Sequence, residues 1–449
     1  MNKFIIDSVK SVSKDISFST PGHKGREFNY LKFNYDVTEL DETDNLLEPS
    51  GAILKSMEEL KKIYGSKKSY YLTQGSSLGI MSAIIANLDK GDKILVERTC
   101  HKSVYNAIIL SELEPTYIHP IINKRFNVPV GIDLDDLKEK LETKKYRVLV
   151  VTSPNYFGKT LPLKEMFKIC KKCGTILIVD EAHGAHLNFS PELSKLSAKD
   201  CCDIAIESAH KTMPAITGSA FMHVYTDRVS IELLEKTLRL LQSTSPSYLM
   251  LISMEEALDF MEKNGRERLT KNIERLKILK ENLKKEGFEF LEGEGFDPTR
   301  LVVAKENISG YEIERGIREF KVRAEMATPF CAVFIITAAD DEDSIGKLEE
   351  ALKNSTYTND YPKAIDFSYR EKIVYRPCEI FRKELKWVRL EDTEGMVSTS
   401  FVIPYPPGSP ILVPGEEVTD EIIKILKEYL KLNIKVVGLK NGGLKVGSK

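Results

Sequence analysis

A lysine sits just past an apolar run. CDIAIES (202–208) ends in Ser208, and Ala209-His210-Lys211-Thr212 follows. Alone, Lys211 reads as a surface lysine in a loop. It has company, however. Asp180 closes another apolar run, TILIVD (175–180). The stretch YLTQGSSLG (71–79) opens an apolar helix, GIMSAIIANL, and places Ser76 and Ser77 in its first turn. Hydroxyls beside the free amides of a helix N-terminus make an anion site. His101 follows the run KILVE (93–97). A phosphate cradle, a carboxylate, an imidazole and an amine, each beside the end of a strand or the start of a helix, together fit pyridoxal 5′-phosphate. The amine condenses with the aldehyde. The carboxylate pairs with the pyridine nitrogen and keeps it protonated, so that the ring accepts electrons. The imidazole stacks on the ring face.

Other chemistries compete for the same residues. Asp180-Glu181-Ala182-His183 spells the Mg²⁺ box of some ATP-driven helicases, and SPNYFGKT (153–160) ends like a phosphate-binding loop. Such a loop needs glycine where Ser153 stands, and Pro154 removes an amide donor. The formal net charge of −2 offers no basic excess for nucleic acid. Asp180, His183 and His186 are a conceivable metal trio, but they occupy a strand end and a glycine-containing loop rather than one helix face, and no metal is expected. Cys170 and Cys173 form a lone CxxC inside an amphipathic helix capped by Gly174, and read as ordinary reduced thiols.

The elements that must position these groups follow from hydrophobic periodicity. KILVE, PTYIHP (115–120), YRVLVVTS (146–153), TILIVD, CDIAIES and SAFMHV (219–224) alternate with helical stretches such as 132–143 and 162–173. That pattern predicts an α/β fold with a mostly parallel sheet covered on both faces, whose ligands bind at the carboxyl ends of the strands. A charged helical region near 254–287, then RLVVAK, VFIIT and helices near 310–320 and 341–353, predict a smaller α/β unit. The expected division is an arm over 1–50, a cofactor-binding large domain over 51–290 and a C-terminal part over 291–449. The 449 residues suffice for this, and 42% hydrophobic with 29% charged residues fits a soluble protein. No signal peptide and no run of about 18 apolar residues is evident, so a cytoplasmic protein without membrane spans is expected.

Taken in order, TPGHKG (20–25), GSSLG (75–79), RTCHKS (98–103), SPNYFGK (153–159), VDEAHGAH (179–186), SAHKT (208–212), STSPSY (243–248) and PYPPGSP (404–410) resemble the prokaryotic-type ornithine/lysine/arginine decarboxylases, which are fold type I pyridoxal-phosphate enzymes. The resemblance spans nearly the whole chain. It implies a large domain like that of aspartate aminotransferase, with Lys211 holding the cofactor as a Schiff base, Asp180 on the pyridine nitrogen, His101 on the ring, and Ser76, Ser77, Ser208 and His210 at or near the phosphate. It places His183 beside the ring. Ser243 and Thr244 would reach the phosphate of a neighbouring subunit, making a homodimer the smallest active unit, with a tetramer also open. The chain looks like the short form, without the N-terminal wing domain. Gly218 and Ser400 depart from the family pattern as read here, where glutamine and glutamate or asparagine are usual.

The implied reaction is decarboxylation of a basic amino acid, arginine first, then lysine or ornithine, yielding agmatine or a diamine for polyamine metabolism. Lys211 or His210 would return the proton to Cα. A basic substrate needs an acid for its distal cation, and Glu39 or Asp41 in DVTELD would supply it. Two rivals remain: an aminotransferase or other amino-acid lyase, with Arg376 or Arg382 for a substrate carboxylate, and a non-catalytic cofactor-binding relative.

Overall fold

The computed structural model describes residues 16–18, 43–358, 369–383, 386–405, 408–432 and 434–447. Seven strands form the central sheet: β1 (Lys68–Leu72), β2 (Lys93–Glu97), β3 (Glu114–Ile118), β4 (Val148–Thr152), β5 (Ile176–Asp180), β6 (Ile204–Glu207) and β7 (Ala220–Val224). Their spatial order is β1-β7-β6-β5-β4-β2-β3. Strands β2 to β6 run parallel, and β7 is antiparallel to both of its neighbours. The near-continuous Val/Ile/Leu runs have this cause: Val148, Leu149, Val150 and Val151 alternate between two faces, and both are buried. The expected parallel sheet is present, with strand limits within a few residues of those read from sequence. Strand β1, KSYYL, was not anticipated. Its signal is diluted by a lysine and a serine, and its partner β7 lies about 150 residues away.

Helix α1 (Gly75–Ile85) follows β1 and lies on the sheet. A Cβ on Gly79 would stand 2.5 Å from Leu72 Cδ1 and 2.9 Å from Ile206 Cγ2. Glycine there lets the helix press against the strands, which brings its N-terminal turn to the ends of β6 and β1. The helix over 163–173 ends at Gly174 in the left-handed region (φ 73°), as its sequence predicts.

A second, antiparallel sheet contains β8 (Phe288–Phe290), β9 (Arg300–Lys305), β10 (Met326–Ala327) and β11 (Ala332–Ile335), in the order β8-β9-β11-β10. Helices Gly310–Arg318 and Glu342–Asn354 pack on it around Phe334, Ile313, Ile345 and Leu348. The stretch 254–287 is not one helix. A π turn at Met261–Gly265 separates Tyr248–Phe260 from Arg266–Lys284. Beyond it, Lys386–Arg389, Val397–Ser398 and Gly443–Gly447 form a third sheet beside the helix Asp420–Lys431. The proline-rich segment folds back onto residues 98–99. Arg98 pairs with Glu416 at 2.9 Å, both almost fully buried, and donates to the Ile411 carbonyl at 2.8 Å. Ser409 Oγ donates to the Thr99 carbonyl at 2.7 Å.

Candidate functional site

The strand ends bring the sequence-separated groups together. Lys211 lies on the short helix Ala209–Thr212 that follows β6. Its Nζ is 3.1 Å from His183 Nε2. Asp180 is the last residue of β5, and its carboxylate accepts from the Ala182 amide at 3.1 Å. His101 caps helix α2 (Lys102–Leu110), with Nδ1 3.3 Å from the Ser103 amide and 2.9 Å from Ser103 Oγ. The charges act on one another. Burial pushes the Asp180 carboxyl up, while His101 and Lys211 pull it back down. Burial pushes the Lys211 amine below its ordinary value; Asp180 and Glu325 oppose this, and Arg300 adds to it. His101 is held low by desolvation and by Lys211 and Lys102, against the pull of Asp180.

An anion cradle faces this cluster. Ser76 and Ser77 occupy the first turn of α1, whose N-terminal residue Gln74 makes no side-chain cap, so the turn's amides are open to an anion. Ser208 Oγ donates to Ser76 Oγ at 2.9 Å, tying the lysine-bearing loop to the helix turn. His210 turns its Nδ1 to the Ser219 carbonyl at 3.0 Å. Gly75 and Gly218 both have positive φ (75° and 95°), and a Cβ on Gly75 would stand 3.7 Å from the Gly218 carbonyl. The departure at Gly218 thus has a local reason: a glutamine there would be strained. Ser400 has a buried hydroxyl without a hydrogen-bond partner among the described residues. These groups fit pyridoxal phosphate. An open helix turn with two hydroxyls suits a phosphate, a buried carboxylate suits a protonated ring nitrogen, and an amine held low by burial suits an aldehyde.

Not every expected group is here. Ser243 and Thr244 are exposed in the turn between the helices Ile231–Leu241 and Tyr248–Phe260, and Ser243 Oγ bonds the Ser245 carbonyl at 3.3 Å. Glu39, Asp41 and the TPGHKG motif lie outside the described residues. The conceivable metal trio points three ways. His186 is 3.1 Å from both Asp297 and Thr299, His183 lies between Lys211 and Arg300, and Asp180 bonds Ala182. Among the described residues no three His, Cys, Asp or Glu side chains are placed to hold a metal. Lys159 of the GKT turn donates to the Glu294 carbonyl at 2.6 Å. Cys170 and Cys173 are unbridged, and burial pushes the Cys170 thiol up to about 12.

Sequence reasoning missed Tyr156, Arg300 and Glu325. Arg300 opens β9 and is 3% exposed. One of its nitrogens, Nη2, is 3.2 Å from His183 Nδ1. The Tyr156 ring lies 4.8 Å from the His183 ring, tilted by 58°, and its hydroxyl bonds Glu325. Tyr156 was visible inside SPNYFGK. Arg300 and Glu325 reach the site from a sheet whose docking no local pattern encodes.

Comparison with known proteins agrees with this geometry. Residues 8–307 match the family model described as Orn/Lys/Arg decarboxylase, major domain, and residues 365–441 match its C-terminal domain. An arginine decarboxylase of Bacillus subtilis (strain 168) is 28% identical, over 94% of this chain and 92% of its own length. The inducible lysine decarboxylase of Escherichia coli (strain K12) is 21% identical, over 93% and 74%. Among solved structures, the Francisella novicida lysine decarboxylase superposes with a TM-score of 0.80 at 20% identity, covering 98% of this chain and 80% of its own. A structure titled as holding pyridoxal phosphate, "SPT with PLP, N100C", matches the fold at a TM-score of 0.54, with 18% identity and coverage of 67% and 75%. The fold is that of the fold type I pyridoxal-phosphate enzymes, and the chain belongs to the Orn/Lys/Arg decarboxylase family: it is a pyridoxal-phosphate-dependent decarboxylase of a basic amino acid.

Proposed function

We infer that the substrate is arginine, released as agmatine and CO₂ for polyamine metabolism, and that Lys211 carries the cofactor. The choice of arginine rests on the Bacillus arginine decarboxylases, which align over nearly the full chain. When bound, pyridoxal phosphate supplies a sink for the electron pair left as CO₂ departs. The chain's own residues do the rest. Asp180, buried at the end of β5, would hold a proton at the ring nitrogen. Ser76, Ser77 and the first-turn amides of α1 hold the phosphate, with Ser208 and His210 beside them. His101 would stack on the ring, and His183 would lie beside it. Lys211 or His210 delivers a proton to Cα. Water is excluded by the burial around Asp180 and His183, which favours loss of a carboxylate charge as CO₂.

The same proposal extends to parts the single chain does not assemble. Ser243 and Thr244, exposed here, complete the phosphate site of a second subunit in a homodimer or tetramer. Glu39 and Asp41 bind the distal cation of the substrate. The division into an arm to residue 50, a large domain to residue 290 and a C-terminal part beyond is proposed with it. One observation counts against aminotransfer through the arginines named above. Arg376 and Arg382 act on Glu112, which leads into the amino end of β3, on the far side of the sheet from Lys211.

A product assay tests the reading. Arginine, lysine and ornithine are supplied separately to the holoenzyme, and CO₂ and amine are measured. Agmatine should form fastest; a faster release of cadaverine or putrescine would reassign the substrate. Glu39→Ala and Asp41→Ala are expected to raise KM for arginine by roughly tenfold each, with kcat little changed, since each removes binding that ground and transition states share. Unaltered KM in both would place the acid elsewhere.

A further inference from the structure

Arg300 occupies a built position. The Asp297–Thr299 turn precedes it, with its own amide on the Asp297 carbonyl at 3.0 Å. Its stem lies against Gly158, where φ is 85° and an added Cβ would stand 2.6 Å from Arg300 Cβ. The side chain is thus aimed, not merely accommodated. At its tip, Nη2 meets His183 Nδ1 at 3.2 Å, and the other ring nitrogen, Nε2, meets Lys211 Nζ at 3.1 Å.

The direction of these bonds follows from the donor inventory. A guanidinium has only donors and keeps its charge in proteins. The bond from Arg300 therefore requires a lone pair on His183 Nδ1, which leaves Nε2 as the nitrogen that carries hydrogen. The imidazole is kept neutral by burial and by the adjacent Arg300 guanidinium. A neutral ring with this tautomer is a donor toward Lys211, whose nitrogen must then offer a lone pair.

We propose that Arg300 is a positioning residue which fixes His183 as the Nε2–H tautomer, so that the ring donates a hydrogen bond to the nitrogen of Lys211. Such a donor favours the unprotonated form of that nitrogen. The inference rests on Lys211 being the cofactor-bearing lysine, and it is independent of which amino acid is the substrate. Arg300 leaves Nε and Nη1 without partners among the described residues, so a competing role for it is to bind the substrate carboxylate directly.

The experiment uses cofactor-loaded protein. The pH midpoint at which the visible band of the bound cofactor changes is measured for wild type, Arg300→Met, Arg300→Lys, His183→Phe and the Arg300→Met/His183→Phe double variant. Asp180, Glu325, His101 and His210 also face Lys211 or His183; they are present in all five proteins, so differences report on Arg300 and His183. Arg300→Met should raise the midpoint by about one unit, and Arg300→Lys, which keeps a charged donor, should restore most of it. In the His183→Phe background Arg300→Met should add little, because the effect passes through the ring. Ring nitrogen shifts of ¹⁵N-histidine-labelled protein, assigned with His183→Phe, should show hydrogen on Nε2 of His183 alone. Hydrogen on Nδ1, or a midpoint shift equally large without His183, overturns the proposal. So does an Arg300→Met protein with an unmoved midpoint and a raised KM, which would make Arg300 a substrate contact. A Lys211→Ala protein that keeps the visible band would instead overturn the lysine assignment, and the ring nitrogens would still decide the tautomer.

Discussion

Lys211→Ala is expected to lower turnover by a factor on the order of 10⁴, about 5 kcal/mol of transition-state stabilisation, and to abolish the covalently held visible band. The amine lies 3.1 Å from His183 Nε2 at the strand ends, and burial already holds it below its ordinary value. Alanine removes the covalent tether but leaves the Ser76–Ser208 contact and Asp180 in place. The variant should still fold and take up cofactor weakly. Visible spectra and single-turnover CO₂ release check this. Full turnover with a retained band would move the cofactor-bearing role to another lysine.

Arg98→Met is expected to cost about 3 kcal/mol of stability, the range for breaking a buried ion pair by removing one partner. Arg98 serves Glu416, the Ile411 carbonyl and the Tyr105 hydroxyl (2.8 Å) at once. Burial raises the Glu416 carboxyl to about 7 even with Arg98 beside it, and without the guanidinium it should rise further. The pH dependence follows from that sign. Glu416 binds its proton more tightly folded than unfolded, so its contribution is fully present below the unfolded carboxyl range and is lost as pH rises from there through the folded value of about 7. The deficit of Arg98→Met should therefore be larger at pH 8 than at pH 5. Arg98→Met/Glu416→Leu should recover much of the loss, because no buried carboxylate is left unpaired. Denaturant midpoints at the two pH values measure both effects; equal deficits at both would show that Glu416 is not the group responsible.

Much of this was legible in the chain because the relevant patterns are local. Parallel strands buried on both faces announce themselves as Val/Ile/Leu runs, and the residues proposed for the site stand at or just after their ends: Asp180, Ser208, Lys211. Ser76 and Ser77 were visible as hydroxyls at the head of an apolar helix. What escaped depends on packing between distant segments. Arg300 looks like any strand-opening arginine until the second sheet docks and Gly158 accepts its stem. Strand β1 hides because its partner is far along the chain. The π turn at Met261–Gly265 interrupts a run whose periodicity reads as continuous. Ser243 and Thr244 stand exposed in a turn, and the role proposed for them requires a second subunit.

The buried contact between Arg98 and Glu416 joins residues 318 apart in sequence, and Arg98 is three residues from His101. A chain still emerging from the ribosome carries a guanidinium meant for an apolar interior, whose hydrogen-bonded carboxylate arrives only when residue 416 has been made. Closing so wide a loop is entropically slow rather than very costly, since the penalty grows only with the logarithm of its length. It follows that the ion pair holding Arg98, three residues from His101, cannot close until residue 416 has been made.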